Sequence, residues 1–396
     1  MGEASLQLYG APVGLYTGKV RCYLRKQGIP YVEVLPTDRT FRKQVLPVIQ
    51  RFMNPVVRLA DGTIVQDTAD ILDFLEASGR ARTESRPRTP RQRLVALVLD
   101  LFGGEGLVRA AMHYRWNFLA ENEPFLRHEF GLAYRAIGMD AAAERQQLDA
   151  FLGYLQGHLP SLGVTAGTIP AIEESYTDVL AALDAHFRAH PYALGGRPTC
   201  ADYGLVAPLW AHLGRDPYPS AKMKREGPSV YRWLERMNAC DDDMPEFPGY
   251  APGLPAGDEV PATLLPVLAL VARDFLPELR EHVAVTNAWL EAHPQITDGM
   301  PCTPSPSDRG FARGSFLLRG VTVTASLPVY TLCMLQKVTD AYDALLPPER
   351  AAVDSLFSAV GLEPVLQLKA SRRVVRRNYL ETWGPAVGDT AERAPR

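Results

Sequence analysis

Two short motifs in the first 70 residues have the residue types to bind a ligand that carries both charges. Asp67-Thr68 stands at a predicted helix start, where free N–H groups and a hydroxyl accept an anion and the carboxylate accepts an ammonium group. Asn54-Pro55 is a candidate cis peptide bond, which would leave the main chain of Asn54 facing outward to pair with an extended peptide. Taken alone, Asn-Pro is usually a turn and Asp-Thr a helix cap, and these remain the alternatives.

Tyr16 and Thr17 form a second candidate group, directly before a helix predicted to begin near Gly18-Lys19. A hydroxyl at a helix N-terminus donates to a negatively charged atom, and the helix dipole adds to that effect. Thr17 is expected at the N-cap, so capping the helix is its alternative role. Tyr9 is a second phenol candidate, although its place in the first predicted strand favours a half-buried strand aromatic.

A third group lies on a later helix, where Arg109, His113 and Trp116 share one face at i, i+4 and i+7 spacing. They offer a fixed cation, an acid or base and an aromatic plate, which suit a substrate pocket. The alternative is a helix–helix contact with its polar atoms satisfied internally. No set of His, Cys, Asp and Glu has the spacing of a metal site, because His186 and His190 lack a third ligand.

The elements that position these residues fall into three predicted domains at 1–82, 91–245 and 258–396. The first shows the order β-α-β-(α)-β-β-α of a thioredoxin-like fold, with a hairpin at Asp61-Gly62. From residue 91 onward, apolar residues recur at helical spacing and predict an all-helical second domain. The fold class is therefore α/β plus all-α, with a further helical extension at the C-terminus.

The extension carries a basic stripe on a helix predicted over roughly 363–381. At helical spacing its cations occupy one broad face, which is either a solvated surface or a closure of the active site that binds a carboxylate or phosphate. Its members are Lys369, Arg372, Arg373, Arg376 and Arg377.

The amino-acid composition of the chain argues against some classes of function. Of 396 residues, 46% are hydrophobic, and 42 basic side chains against 45 acidic ones give a net charge of −3, so nucleic acid is not an expected partner. No stretch approaches the roughly 18 apolar residues of a membrane span. The five cysteines are an odd number and widely spaced, which favours a reducing compartment, and cytoplasm is the predicted location.

The first 80 residues contain four motifs in a fixed order, namely Leu8-Tyr9-Gly10 with Lys19-Val20-Arg21, Gly28-Ile29-Pro30-Tyr31, Asn54-Pro55-Val56-Val57 and Asp67-Thr68-x-x-Ile71. With these motifs the segment resembles the N-terminal domain of the cytosolic glutathione S-transferase superfamily. A narrower resemblance, on Gln66-Asp67-Thr68, Met112 to Trp116 and Leu213 to Pro217, is to a long group with an extra C-terminal helical region. Gly195 to Asp202 is similar to the capping element of that superfamily's helical domain, and Thr199 with Asp202 predicts a helix N-cap with an acidic residue at N3.

The resemblance implies an enzyme that uses glutathione as cosubstrate. Glutathione would lie along Asn54-Pro55, with its γ-glutamyl end at Asp67-Thr68 and its sulfur near Tyr16 and Thr17, which are the expected catalytic residues. Its thiolate would attack, isomerise or reduce a hydrophobic electrophile between the first two domains, and a homodimer is expected.

One position departs from the family. Many members place Ser or Cys where this chain has Gly14, so that role is vacant. The alternative is therefore a non-catalytic binding or scaffold protein, metaxin-like, that has lost the thiol-activating residue. An isomerase that keeps the fold without binding glutathione is a third possibility.

Overall fold

The N-terminal domain is a four-stranded sheet with helices, seen in a computed structural model that describes residues 6–388. Strands β1 and β2 are parallel, whereas β3 is antiparallel to β1 and β4 to β3, in the spatial order β2-β1-β3-β4. This is the predicted thioredoxin-like arrangement, and the hairpin turns at Gly62 with φ of 90°. The elements are β1 (Leu6–Tyr9), α1 (Leu15–Lys26), β2 (Val32–Val34), α2 (Leu46–Ile49), β3 (Val56–Leu59), β4 (Ile64–Gln66) and α3 (Thr68–Ala77).

The second domain is helical, as predicted. The capping box expected at Thr199 and Asp202 is present at the start of its sixth helix. A buried ion pair at 2.6 Å joins Lys19 of α1 to Asp100 in this domain. Its helices are α4 (Pro90–Leu101), α5 (Val108–Trp116), α6 (Leu119–Arg135), α7 (Ala141–Gln156), α8 (Ile169–Ala189), α9 (Cys200–Pro208), α10 (Pro217–Glu226) and α11 (Pro228–Asn238).

The C-terminal extension contains helices, as expected, but also two antiparallel hairpins that the sequence analysis missed. One hydrophobic core runs without a break through all three parts of the chain. The elements of the extension are α12 (Leu265–Asp274), α13 (Leu276–Ala292), β5 (Gly310–Leu318), β6 (Val321–Pro328), α14 (Val329–Asp343), α15 (Pro347–Ala359), β7 (Arg372–Arg377) and β8 (Leu380–Ala386).

The helix predicted over roughly 363–381 is wrong, because most of that segment forms the C-terminal hairpin. Strands β7 and β8 pair antiparallel and turn at Asn378 and Tyr379, both with positive φ (51° and 69°). Such a two-residue turn matches the twist of paired strands. The β-branched Val374 and Val375 at its centre favour a strand, whereas the helical spacing of the arginines is coincidental.

The extension packs against both preceding domains. Helix α14 lies against α4 and β7. Arg109 of α5 holds Glu278 of α13 through two hydrogen bonds of 3.1 and 2.8 Å. Among residues 6–388, no helix is long and apolar enough to cross a membrane.

Candidate functional site

Thr17 lies beside two glycines at the N-terminus of α1. The helix begins at Leu15 with Gly14 as its N-cap, so Thr17 is in the first turn and the predicted N-cap role is wrong. A Cβ atom on Gly10 would meet the Thr17 side chain at 2.4 Å, and one on Gly14 would meet its Oγ1 at 2.9 Å. The Thr17 hydroxyl therefore stands close to where a side chain at position 14 would begin.

Tyr16 points toward the second domain. Its hydroxyl donates to the Gly104 carbonyl at 3.0 Å and lies 3.4 Å from Glu105 Oε1. Burial, followed by the charge of Glu105, raises the pKa of the phenol well above its usual range. Tyr16 is thus a protonated donor already engaged by the segment that follows α4.

Glu105, which the sequence analysis did not single out, lies at the centre of this contact. It belongs to a π-helical turn (Phe102–Gly106), and such turns are frequent at functional sites. Thr331 of α14 donates to Glu105 Oε2 at 2.8 Å. Burial raises the pKa of this carboxyl to about 7, while the Thr331 hydrogen bond and the charge of Arg309 oppose the rise.

Two of the three glycines around Glu105, Gly103 and Gly106, are closely packed, whereas Gly104 has open space around it. A Cβ on Gly103 would lie 2.3 Å from the main-chain carbon of Gly204 in α9, so only glycine fits at this helix crossing. A run of Gly-Gly-Glu-Gly after an apolar helix was the available signal. This run predicts an irregularity in the helix, but it does not show where the Glu side chain points.

The Asn54–Pro55 peptide bond is cis, as predicted, and precedes β3. Asn54 lies outside the strand ladder, which begins at Val56. Asp67 begins α3, and its Oδ1 accepts from the Ala69 N–H at 3.1 Å. The predicted helix cap is therefore present, and Thr68 is the buried first residue of the helix.

The extension supplies the other partners of Asp67. Tyr330 donates its hydroxyl hydrogen to Asp67 Oδ1 at 2.5 Å. Arg376 Nη1 lies 3.2 Å from Asp67 Oδ2, and its Nη2 donates to Gln66 Oε1 at 2.5 Å. Asp67 was predicted to accept an ammonium group, and in this structure it faces a guanidinium of the same chain.

A second charged pair lies beside the first. Arg51 donates two hydrogen bonds to Glu381, at 2.7 and 2.9 Å, with 5% and 12% of the two side chains exposed. Arg376 Nε lies 3.2 Å from Asp70. Burial is the largest influence on Asp70 and raises its pKa, and Arg376 opposes the rise. The contact between the first domain and the C-terminal hairpin therefore joins two cations and three carboxylates. They are Arg51, Asp67 and Asp70 in the first domain and Arg376 and Glu381 in the hairpin.

In residues 6–388, five of the fifteen buried side-chain polar atoms without a hydrogen-bond partner lie on four residues of this region. Interior polar groups normally have partners, so a cluster of exceptions marks either a ligand site or stored strain. Of the buried side-chain atoms that lack a partner in the described part of the chain, those on residues of this region are Arg51 Nε, Asn54 Oδ1, Gln66 Nε2, Arg376 Nε and Arg376 Nη1.

The three predicted pocket residues occupy separate packing contacts. Arg109 holds Glu278, whereas His113 Nε2 lies 2.9 Å from Glu173 and burial lowers the imidazole pKa. Trp116 is 2% exposed and stacks on Phe130. These placements correspond to the helix–helix alternative, and the role of the three residues in substrate binding stays a prediction.

An apolar groove of about 440 Å³ lies between the first domain and α6, beside the loop that leads to Gly14 and α1. Its lining residues are Pro12, Glu33, Leu35, Leu132, Arg135 and Ala136.

Solved structures with a similar arrangement come from several bacteria. The β-etherase LigF from Sphingobium sp. strain SYK-6 is 16% identical, with a TM-score of 0.42, covering 61% of this chain and 98% of its own. A glutathione S-transferase from Methylobacterium radiotolerans, in complex with glutathione sulfonate, is 18% identical, with a TM-score of 0.34 and coverages of 63% and 97%. FzlA from C. crescentus is 17% identical, with a TM-score of 0.36 and coverages of 63% and 96%.

No curated protein sequence matches the chain significantly. Two family models do match it, in the order that the fold requires. Residues 8–82 match the N-terminal domain of glutathione S-transferases, and residues 139–236 match the C-terminal domain. These two segments, which together make up less than half of the 396 residues, therefore belong to the glutathione S-transferase superfamily.

Proposed function

We propose that the protein binds glutathione, or a closely related γ-glutamyl thiol, and uses its thiolate against an apolar electrophile. The observation that carries the proposal is the group of partnerless buried polar atoms around Asn54, Gln66 and Arg51. These atoms include both donors and an acceptor, which suits a ligand with carboxylate, ammonium and amide groups. They belong to Asn54 itself and to residues close in the chain to Asn54–Pro55 and Asp67, which the family resemblance assigned to glutathione.

The residues present fit such a ligand on one condition: the C-terminal hairpin, formed by β7 and β8, must leave Asp67 free. The main chain of Asn54 would hold the peptide portion, whereas the Pro55 carbonyl already accepts from the Asp67 N–H at 3.3 Å. The N-terminus of α3 at Asp67-Thr68 would hold the amino-acid head group once Arg376 leaves Asp67. Glutathione supplies a thiol, which is nucleophilic as the thiolate.

The residues near the N-terminus of α1 would maintain that thiolate. Thr17 is the proposed hydroxyl donor, since it stands where Gly14 leaves space, and the helix N-terminus favours negative charge there. Glu105 is the proposed proton acceptor, because a carboxyl whose pKa is about 7 exchanges protons readily at neutral pH. Tyr16 would hold the π-helical turn that presents Glu105, through its hydrogen bond to Gly104.

The electrophile would lie in the groove between the first domain and α6. Its volume of about 440 Å³ and its apolar lining suit a small hydrophobic molecule, with Glu33 and Arg135 at its edge. Conjugation, isomerisation and reduction all use such a site, and the groove does not favour one of them. We carry forward the homodimer and the cytoplasmic location as parts of this proposal.

A second candidate is a non-catalytic binding protein. Two observations favour it, namely the glycine at position 14 and the engagement of Asp67 by Tyr330 and Arg376. A scaffold, however, needs neither the partnerless polar atoms at Asn54 nor a carboxyl with a pKa of about 7 at Glu105.

Thermal unfolding with glutathione separates the two candidates. At 100 times its dissociation constant a ligand adds about 2.7 kcal/mol to the free energy of unfolding, which raises Tm by several degrees. We expect such a rise with glutathione or S-methylglutathione. No rise with either ligand up to 10 mM would leave the scaffold as the better function.

The assignment of the hydroxyl donor is tested by the thiolate absorbance of bound glutathione across pH. Thr17→Val should raise the pKa of the bound thiol, because it removes the donor while keeping the branched shape. Tyr16→Phe serves as the comparison and should leave that pKa unchanged, since its hydroxyl is committed to Gly104. The reverse pattern would assign the role to Tyr16.

A further inference from the structure

The C-terminal hairpin, formed by β7 and β8, reaches the first domain with its tip. Tyr379 at the turn donates its hydroxyl hydrogen to the Ile64 carbonyl of β4 at 3.2 Å. The Asn378 carbonyl accepts from Gln50 Nε2 at 3.3 Å. The tip therefore lies directly over the edge that the proposed function assigns to the γ-glutamyl group.

The base of the hairpin is anchored elsewhere. The side chain of Gln336 in α14 makes two hydrogen bonds with the main chain of Val374: it donates to the carbonyl at 2.9 Å and accepts from the N–H at 2.7 Å. Trp383 of β8 is fully buried, and its ring lies 5.8 Å from that of Trp289 in α13. The base thus belongs to the core of the extension, whereas the tip contacts the first domain through polar groups.

Near the tip, one cation and one anion face each other across the two strands, whereas the neighbouring Arg377 pairs with Asp298 in the extension. Arg376 and Glu381 are directly opposite each other in the strand register, with 3.7 Å between their charged groups. Arg376 faces Asp67 of the first domain, and Glu381 faces Arg51. Relative to the first domain, this is the charge pattern of an amino-acid head group, with a cation on the acidic residue and an anion on the basic one.

We propose that the hairpin is the chain's own occupant of the amino-acid head-group subsite, and that glutathione binds only when its tip withdraws. This inference rests on the proposed function. An ammonium group needs the Asp67 carboxylate, whose two oxygens are engaged by Tyr330 and Arg376. Arg51, whose Nη2 lies 3.5 Å from Gln66 Oε1 next to the N-terminus of α3, would attract the ligand's carboxylate, but Glu381 holds it with both oxygens.

The contact of Arg376 with the two aspartates of the first domain is weaker than that of Arg51 with Glu381, although Arg376 Nη2 also donates to Gln66 Oε1 at 2.5 Å. Arg376 Nε and Nη1 lie 3.2 Å from carboxylate oxygens, but their N–H bonds are not aligned as hydrogen bonds. The Arg51 pair, by contrast, is a bidentate contact, the geometry that binds guanidinium and carboxylate best. A ligand with an ammonium group therefore competes first for Asp67, and loss of Arg376 leaves Glu381 without its cross-strand cation.

Competition of this kind lowers the apparent affinity by the fraction of molecules whose subsite is free. A hairpin closed nine-tenths of the time weakens binding about tenfold. Arg376→Met removes the competing cation while keeping side-chain length, and we expect it to bind glutathione at least tenfold more tightly than the unmodified protein. Arg373→Met is the matched control, because Arg373 lies on the same strand and pairs with the exposed Asp340 instead.

The test is calorimetric titration of the three proteins with glutathione. It is joined by hydrogen exchange of residues 372–386 in the unmodified protein, with and without saturating S-methylglutathione, which keeps the inference testable should Arg376→Met not fold. The expected result is tighter binding by the Arg376 variant alone and faster exchange at the hairpin tip when the ligand is bound.

Two other outcomes are decisive in different ways. Equal affinities in all three proteins, with tip exchange unchanged or slowed by ligand, would overturn the inference and leave glutathione binding in place. The absence of binding by every protein would overturn the proposed function, and the inference with it.

Discussion

Replacing Glu105 by glutamine should stabilise the protein at neutral and alkaline pH. The carboxyl lies in the π-helical turn between Tyr16 and Thr331, and burial raises its pKa from the usual 4.5 to about 7. In the unfolded chain the same group ionises near 4.5. Between these two values the unfolded state carries the charge and the folded state does not, so stability falls as pH rises.

The size of the effect follows from the two pKa values of Glu105. Their separation corresponds to a loss of about 3 kcal/mol in the free energy of unfolding. This loss is fully present above pH 7 and absent well below pH 4.5. Glutamine keeps an acceptor for the Thr331 hydroxyl and has no charge to desolvate. The stability of Glu105→Gln relative to the unmodified protein should therefore grow from about 1 kcal/mol at pH 5 to about 3 kcal/mol at pH 8.

Urea unfolding at pH 5, 6, 7 and 8 measures this difference directly. Thr331→Val is a companion variant, because the Thr331 hydrogen bond lowers the Glu105 pKa and its loss should extend the fall in stability to higher pH. A difference between Glu105→Gln and the unmodified protein that does not change with pH would refute the reasoning. It would mean that the carboxyl is ionised in the folded protein at all four values.

Two further predictions concern packing and charge. Gly103→Ala should lower the free energy of unfolding by about 3 kcal/mol, because its Cβ would press on the main chain of Gly204. Gly104→Ala is the control, since its Cβ meets open space and the change should be neutral or slightly stabilising. Equal effects of the two changes in thermal unfolding would contradict the close helix crossing. Arg51→Met should lower the free energy of unfolding by about 3 kcal/mol, because the largely buried Glu381 carboxylate then keeps only its 3.7 Å contact with Arg376. Adding Glu381→Gln should recover part of that loss, and strict additivity of the two changes in urea unfolding would argue that the pair is not formed.

Sequence reasoning was most successful where the chain determines its own conformation locally. Asp61-Gly62 predicted the turn between β3 and β4, Asn54-Pro55 the cis bond, and Thr199 with Asp202 the capping box. In each case the residue types restrict one or two dihedral angles or satisfy a helix end, whatever surrounds them. The glutathione S-transferase fold followed because several such signals occur in the right order.

Sequence reasoning failed where contacts distant in the chain decide the outcome. The arginines of β7 have helical spacing, but the Asn378-Tyr379 turn and the pairing with β8 determine the conformation. The role of Glu105 depends on Tyr16, 89 positions away, and on Thr331, 226 positions away. No local pattern identifies such partners, and neither the surroundings of Glu105 nor the hairpin over Asp67 could be inferred from spacing.

Asp67 shows why the extension and the candidate site should be considered together. Its φ of 87° lies in the left-handed region, which costs a non-glycine residue of order 1–3 kcal/mol. Capping α3 through the Ala69 N–H repays about 1 kcal/mol of that cost. A cap alone does not require this backbone conformation, since Asp140 caps α7 with φ of −68°. The carboxylate of Asp67 differs in that it caps α3 and also contacts Tyr330 and Arg376. The strain is therefore better explained by a charged partner at Asp67, supplied either by the hairpin or by the head group that we propose to replace it.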